Sequence, residues 1–315
     1  DFVAGAHRGW FAPRVREFEA DAAQLRDQLQ SACSAAPQRD SALSEIRGRW
    51  RRTALAFDRL AGVSVGPLLS RRSARQIDFW PIRPEAVTRA ILSAPRDLRA
   101  LERIGTPAKG LGALEWILWF RPGPRGQDAC GYAALLAEEL YQEARALAQA
   151  FGELAQRDWN EQPEQAATAM AEIVNQWVGG LETLRWQRMD RPRRSGAGKT
   201  RYPRQAGGIA AQSWSARWEA LAALGVLQED RAEPAPGEGL VPLETYLRGR
   251  GLNPLADKLD GAIRGAGRAL RAARPADAGR VGSAGGALGS AKQVAEAEVA
   301  PALDVQLGFS DSDGD

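Results

Sequence analysis

Histidine and cysteine are the scarcest chemically versatile residues in this 315-residue sequence, which contains one His and two Cys. A single histidine excludes a three-His zinc site, a His-x₃-His pair and the H-E-x-x-H helix of zinc peptidases. Two cysteines exclude Cys₄ zinc ribbons and Cys₄ iron–sulfur sites. Any metal site would therefore depend on carboxylates, with His7 as its one imidazole ligand.

An excess of one charge and long apolar runs are also lacking. The 42 Lys and Arg nearly balance the 39 Asp and Glu, without a basic block of the kind that binds nucleic acid. No run approaches the roughly 18 apolar residues that span a bilayer. The sequence starts at Asp1 without a charged-then-apolar leader, which indicates a removed signal peptide or a trimmed chain. We therefore expect neither a nucleic-acid partner nor a transmembrane segment.

Apolar residues recur every three or four positions along most of the chain, a spacing that predicts amphipathic helices. One stripe runs from His7 to Cys33, with Pro13 marking a kink or the helix start. A matching stripe runs from Cys130 to Leu154, and further stripes occupy 170–184, 214–224, 255–270 and 288–303. Alternation typical of strands is missing. These patterns favour an all-α fold made of helical bundles.

Stretches rich in Pro, Gly and charge separate the stripes. We predict breaks at 121–126 and 158–163, a long Arg/Gly loop at 190–208 and a linker at 228–239. The break at 158–163 is the candidate hinge. It divides the chain into an N-terminal helical bundle, 1–160, and a C-terminal helical bundle, 161–315.

Two apparent ligand motifs are rejected. Ser195–Thr200 looks like the end of a phosphate-binding P-loop, but Arg193 stands where that motif needs glycine. Asp311–Asp315 looks like the start of a calcium loop but lacks the acidic ligand at the twelfth position. We expect solvated segments at both places.

Both cysteines lie on inward-facing stripes of different predicted helices. In a reducing compartment they would be small core residues. In an oxidising compartment a bridge between them would close a loop of nearly 100 residues and stabilise the fold by roughly 4–5 kcal/mol. Composition alone leaves both alternatives open.

Glu115 is the residue with the most evident chemistry. In a helical 109–120 segment it shares a face with Leu111 and Leu118. Because an unpaired buried carboxylate is very costly, Glu115 is expected to pair with an arginine, to be protonated or to bind a ligand. His7 is either a hydrogen-bonded core residue or a ligand. Trp80, Trp116 and Trp119 are either core anchors or pocket walls.

Several segments together are similar to the imelysin-like family, named for an insulin-cleaving bacterial envelope protein. They are Ala6–Pro13, Gly66–Leu69, Ile77–Pro81, Ala108–Glu115 and Leu307–Asp315. The motif positions in the middle segments are Gly66, Pro67, Phe79, Pro81, Gly110 and Gly112. The similarity covers essentially the whole chain.

The resemblance implies an all-α protein of two halves, each like a four-helix bundle, packed around a central cleft. It also implies export to the periplasm or outer envelope of a Gram-negative bacterium, which favours a Cys33–Cys130 disulfide. Members are classed as metallopeptidases from a G-x-H-x-x-E motif, and relatives take part in iron uptake. Arg204 and Ser213 fall near an Arg/Ser-bearing segment of the family.

This sequence departs from the family at the motif histidine. Gly112 occupies that position, while Gly110 and Glu115 match. A helical His-x-x-Glu presents both ligands on one face, so the local metal pair is lost here. His7 and Glu115 remain as candidate ligands for iron or zinc.

We therefore expect a protein without peptidase activity that binds a metal ion, metal chelate or small polar ligand in the cleft and acts in iron uptake or homeostasis. The expected binding residues are His7, Trp80, Glu115, Trp116, Arg204 and Ser213. Its partners would be that ligand and other envelope iron-uptake proteins. One alternative is a metallopeptidase that uses Glu115, and another is a structural or partner-binding envelope protein.

Overall fold

The computed structural model describes residues 2–34, 40–120, 127–194, 202–228 and 239–308, and no β-strand occurs within these ranges. The α-helices are α1 (Phe2–Ala6), α2 (Ala12–Ser34), α3 (Asp40–Leu60), α4 (Pro67–Ser70), α5 (Ser73–Ile77), α6 (Pro84–Leu92), α7 (Leu98–Leu101), α8 (Gly110–Trp119), α9 (Gln127–Gln156), α10 (Pro163–Glu182), α11 (Arg191–Arg194), α12 (Ala210–Gly225), α13 (Leu243–Gly249), α14 (Asn253–Ala272), α15 (Ala278–Val294) and α16 (Ala300–Ala302). The predicted all-α fold is confirmed.

The N-terminal part of the chain is organised around α2, which packs along both α9 and α3. The apolar stripe of α2 supplies its buried face, through Val15, Phe18, Ala22, Leu25 and Leu29. Burial of each large apolar side chain stabilises the fold by about 1.5–3 kcal/mol. Helix α8 closes this bundle by packing against α3 and α9.

The break predicted at Pro13 takes the form of a π-helical segment, His7–Phe11, which leads into α2 at Ala12. Proline has no N–H for the helical ladder and crowds the preceding turn. A widened turn is therefore favourable where the ladder is interrupted. The segment places His7 and Trp10 in the interior.

The structure adds a long helix, α3, that the apolar stripes above do not include. Its five arginines, none of them buried, interrupt the apolar residues and hide the pattern. Its inner face nevertheless has the helical spacing Ile46, Trp50, Ala54 and Phe57, all of them buried.

Helices from the C-terminal part form the second packed group. Helix α10 continues into a π-helical segment, Thr183–Asp190, and both pack against α15. Helices α14 and α15 lie against each other, and α12 packs on α14 and on α3. The α3–α12 contact joins elements on either side of the predicted boundary at residue 160, and the division into two halves stays a prediction.

The chain around residue 190 differs from the predicted loop. Helical structure persists through α11 to Arg194, because Met189, Asp190 and Pro192 are buried against neighbouring helices. The rejected motifs at 195–200 and 311–315, the break at 121–126 and most of the linker at 228–239 lie outside the described residues.

Cys33 and Cys130 form a disulfide, with their Cα atoms 5.5 Å apart. The bond links the last turn of α2 to the first turn of α9, so it reinforces a helix pair that already packs along its length. The predicted pairing is present in the structure.

Among the described helices, none is long and apolar enough to cross a membrane.

Replacing both Cys33 and Cys130 by alanine is expected to lower the free energy of unfolding by about 2–5 kcal/mol, because 97 residues separate the bridged positions. Urea denaturation of the wild type and the double variant, followed by circular dichroism, measures the difference. A difference below about 0.5 kcal/mol would contradict a stabilising role for the bond.

Candidate functional site

The main cavity has a volume of about 650 Å³ and lies between α8 and the π-helical segment Thr183–Asp190. Aromatic and charged side chains share its wall, a composition typical of small-molecule sites. The wall includes Trp80, Glu115, Trp116, Arg188, Tyr202 and Gln205. The structure thus brings together three of the predicted binding residues, Trp80, Glu115 and Trp116.

Helix α8 positions Glu115 by starting in a very confined place. Gly110 has a left-handed φ of 66°, and a Cβ atom there would lie 2.3 Å from the carbonyl oxygen of Ile77. Only glycine meets both conditions without strain. The helix can therefore pack tightly on the segment that carries Asp78 and Trp80.

The Glu115 carboxylate is held by the loop before α12. The backbone N–H of Gly207 donates to Glu115 Oε1 at 2.8 Å. Gly207 also packs against Trp50. A Cβ atom at this position would lie only 2.4 Å from the indole ring, so the close approach of this loop requires glycine. Burial raises the pKa of Glu115 above its ordinary value, although the charge of Arg204 and the Gly207 hydrogen bond act in the opposite direction. The protonated form of Glu115 is thus more favourable than that of an exposed glutamate.

Behind the cavity lies a buried network of acids and arginines. Asp78 pairs with Arg188 at 2.6 Å, Arg204 at 2.8 Å and Arg217 at 3.2 Å. Asp58 completes it through Arg217 at 2.9 Å and Arg204 at 3.4 Å.

Ser213 and Arg204 strengthen this network from the C-terminal part of the chain. The Ser213 hydroxyl donates to Asp58 Oδ2 at 2.7 Å. Arg204 has a φ of 67°, a conformation that costs energy for a residue with a side chain. Its two ion pairs hold it there. These two predicted site residues therefore lie behind the cavity, within the network.

The aspartates and arginines of the network stabilise each other's charged forms. Burial alone would raise the pKa of Asp78, but the neighbouring Arg188, Arg204 and Arg217 lower it to about 2. Asp78 is therefore ionised at neutral pH. Its negative charge balances arginines that would otherwise be buried without compensation.

Four residues of this network were not predicted: Asp58, Asp78, Arg188 and Arg217. A signal existed for Arg217, which falls between Trp214 and Leu221 on one helical stripe, where a charged residue is unexpected. Asp58 interrupts the apolar run of α3 in the same way. Pairing between such residues depends on tertiary structure and cannot be obtained from helical spacing.

The position of the family's motif histidine carries no side chain in this site. Gly112 faces the cavity, and a Cβ atom at this position would lie 2.5 Å from Cγ2 of Ile82. Ile82 thus occupies the space where a longer side chain would start. No group of three or more His, Cys, Asp or Glu suited to hold a metal ion occurs in the described part of the chain. Arg188 and Arg204 beside Glu115 further disfavour a cation.

His7 lies elsewhere, in a second cavity of about 410 Å³ that includes Trp159 and Glu172. The sequence placed His7 in the same ligand set as Glu115, but the structure puts them in different cavities. The reason is that the first helix packs against α9 and the start of α10. His7 and Glu115 therefore do not form the expected metal pair.

The imidazole of His7 is stacked on the Trp159 indole, with centroids 5.3 Å apart and planes 8° from parallel. Burial, together with the positive charge of Arg157, lowers the pKa of His7 to about 4. His7 is consequently a neutral group at physiological pH.

The remaining motif residues lie at the start of α4 and beside the main cavity. Gly66 precedes α4 with a positive φ of 50°, and Pro67 is its first helical residue. Pro81 lines the main cavity after a cis peptide bond with Trp80. Phe79 is half-buried beside it.

His7 is expected to titrate with a midpoint near 4 instead of the ordinary 6.5. Since the folded state disfavours its protonation, its contribution to stability is present above pH 6.5 and is lost as the pH falls toward 4. The chain has one histidine, so its Cε1–H resonance can be followed by NMR without assignment. The urea-unfolded protein is the control, and a folded-state midpoint at the ordinary value would contradict the buried stacking.

Two solved structures resemble the fold. An imelysin-like protein from Psychrobacter arcticum 273-4 aligns with a TM-score of 0.78 and 18% identity, over 98% of this chain and 96% of that one. An iron-regulated protein A precursor from Parabacteroides distasonis aligns with a TM-score of 0.73 and 11% identity, over 96% and 94% of the two chains.

Comparison with curated proteins gave no significant match. The sequence pattern of the imelysin (M75 peptidase) family, in contrast, matches residues 12–306. That match includes α8 and the network behind the main cavity. The chain belongs to the imelysin family.

Proposed function

We propose that this protein binds a small anionic ligand, in the form of a metal chelate, in the main cavity and acts in iron acquisition. The observation that carries the proposal is a cavity of about 650 Å³ whose wall combines Arg188 and Arg191 with aromatic side chains. Such a site suits a chelator's carboxylates better than a bare cation.

The charges on the wall favour an anion. Asp78 is already neutralised by its arginines. Arg188 lines the cavity, and its Nη1 has no hydrogen-bond acceptor within the described residues. A small rotation of this guanidinium would allow it to bind a ligand carboxylate while the Asp78 contact is kept.

The aromatic residues give the site an affinity for flat or partly apolar groups. Trp80, Trp116 and Tyr202 lie on its wall, and indole faces contribute large contact areas at low entropic cost. Glu115 adds a carboxylate with a raised pKa that can donate a hydrogen bond when protonated. Together these groups suit a ligand of citrate size or larger.

The biological setting is part of the proposal. The structural likeness to a protein named for iron regulation supports a role with iron, and the disulfide fits an oxidising compartment. We place the protein in the cell envelope, in contact with other iron-uptake proteins. Peptidase activity is not proposed, because Gly112 leaves Glu115 without its metal-binding neighbour.

Isothermal titration with ferric citrate, metal-free citrate and zinc chloride tests this proposal. We expect saturable binding of ferric citrate, and we expect the Arg188→Gln variant to weaken it at least about tenfold, since a charge-assisted hydrogen bond contributes about 1.5–3 kcal/mol. Arg185→Gln is the matched control, because Arg185 lies in the same π-helical segment but outside the cavity wall. Thermal denaturation verifies that both variants are folded.

Two results would contradict the proposal. One is equal binding of ferric citrate by the wild type and Arg188→Gln, or no binding by either. The other is tight stoichiometric binding of zinc alone, which would show that the protein binds a free metal ion instead of a chelate.

A further inference from the structure

The second cavity is lined by charged and aromatic side chains, and it shares no lining residue with the main cavity. It lies where the π-helical segment of His7, the end of α9 and the first turns of α10 meet. Its volume of about 410 Å³ is sufficient for a small organic molecule. Its wall carries charged groups of both signs, which the main cavity's function does not use.

The positive charge of this cavity comes from Arg157, whose position is fixed. Its guanidinium lies over the Trp159 ring at 5.1 Å, and its Nη1 donates to Gln165 Oε1 at 3.1 Å. Arg8 holds the adjoining backbone, because its Nε donates to the carbonyl of Ala155 at 2.8 Å. The N-terminal end of α10 adds positive potential at the same end of the cavity.

The negative charge is contributed along α10 by Glu164 and Glu172. The Oε1 atom of Glu172 accepts from the N–H of Gly66 at 2.7 Å, and no hydrogen bond to its second oxygen occurs among the described residues. The second oxygen is left for a further donor. Gln165, which holds Arg157, precedes Glu172 by seven residues, which is about 10 Å along a helix.

His7 supplies a neutral polar group between flat ring faces. It is 3% exposed, it stacks on Trp159, and its Nδ1 has no hydrogen-bond partner in the described ranges. A π-helical turn at this position is unusual, and such turns are often found at functional sites. A buried polar ring without a partner is costly to the fold unless a ligand or water uses it.

We propose that this second cavity binds a zwitterionic ligand of dipeptide size, with the carboxylate at Arg157 and the ammonium group at Glu172. A dipeptide spans about 6 Å between its terminal charges. With hydrogen bonds of about 2.8 Å at each end, its reach is comparable to the rise of about 10 Å along α10 between Gln165, which binds Arg157, and Glu172. A simple anion would leave Glu164 and Glu172 facing it, and a simple cation would face Arg157. The zwitterion satisfies both.

Three related probes test the charge arrangement by NMR titration: L-Ala-L-Ala, its N-acetyl form without the ammonium group and its C-terminal amide without the carboxylate. The unmodified dipeptide is expected to bind at least about tenfold more tightly than either capped form. Arg157→Gln should remove the preference over the amide, and Glu172→Gln should remove the preference over the N-acetyl form.

Two controls keep this test independent of folding and of the main cavity. Glu153→Gln changes an exposed carboxylate near the end of α9 that lies outside the cavity wall, and it should leave all three affinities unchanged. Gln187→Ala, in the wall of the main cavity, should leave them unchanged as well. The proposal is overturned if the dipeptide does not bind at millimolar concentration, if the capped forms bind equally well, or if Gln187→Ala abolishes binding.

Discussion

The buried Asp–Arg network is the constraint on which the arrangement of the fold depends. Its acids, Asp58 and Asp78, come from the first part of the chain, and its bases, Arg188, Arg204 and Arg217, come from the second. Neither set can be buried alone, because an uncompensated charge in the interior costs several kcal/mol. The two parts must therefore pack together in the one arrangement that pairs these charges, and in this arrangement α12 packs on α3.

The network also explains why a polar cavity exists in a helical protein. A bundle interior normally consists of apolar side chains, as along α2 and α9. Here Arg188 and Asp78 reach the edge of the network and form part of the cavity wall. Glu115 approaches the same wall from α8 and is held by the loop that carries Arg204. The position of the site thus follows from the position of the charges.

The loss of the motif histidine is consistent with this electrostatic setting. A cation at Glu115 would lie close to Arg204, whose charge already acts on that carboxylate. Ile82 fills the space beside Gly112, so a larger side chain does not fit at this position without rearrangement. The second cavity retains the other imidazole of the sequence pattern, at His7, in a neutral and stacked form.

Local periodicity was sufficient to predict most of the long helices, because each apolar stripe reports the buried face of one element, but it missed α3. It also placed both cysteines on inner faces, and the family resemblance favoured their pairing, which the structure contains. The assembly of the site was only partly predictable. Trp80, Glu115 and Trp116 share one cavity, but His7 does not, since helix-to-helix docking decides which inner faces meet. The arginine partners depend on the same docking, and the arginines of α3 concealed its inner stripe.

A double-mutant cycle on Asp78 and Arg204 tests the central claim most directly. The free energy of unfolding would be measured for Asp78→Asn, Arg204→Met, the double variant and the wild type. Because the pair is buried at 2.8 Å, the coupling is predicted to lie in the upper half of the range of about 0.5–3 kcal/mol seen for interacting residues. A coupling near zero, as measured for many exposed ion pairs, would contradict the account.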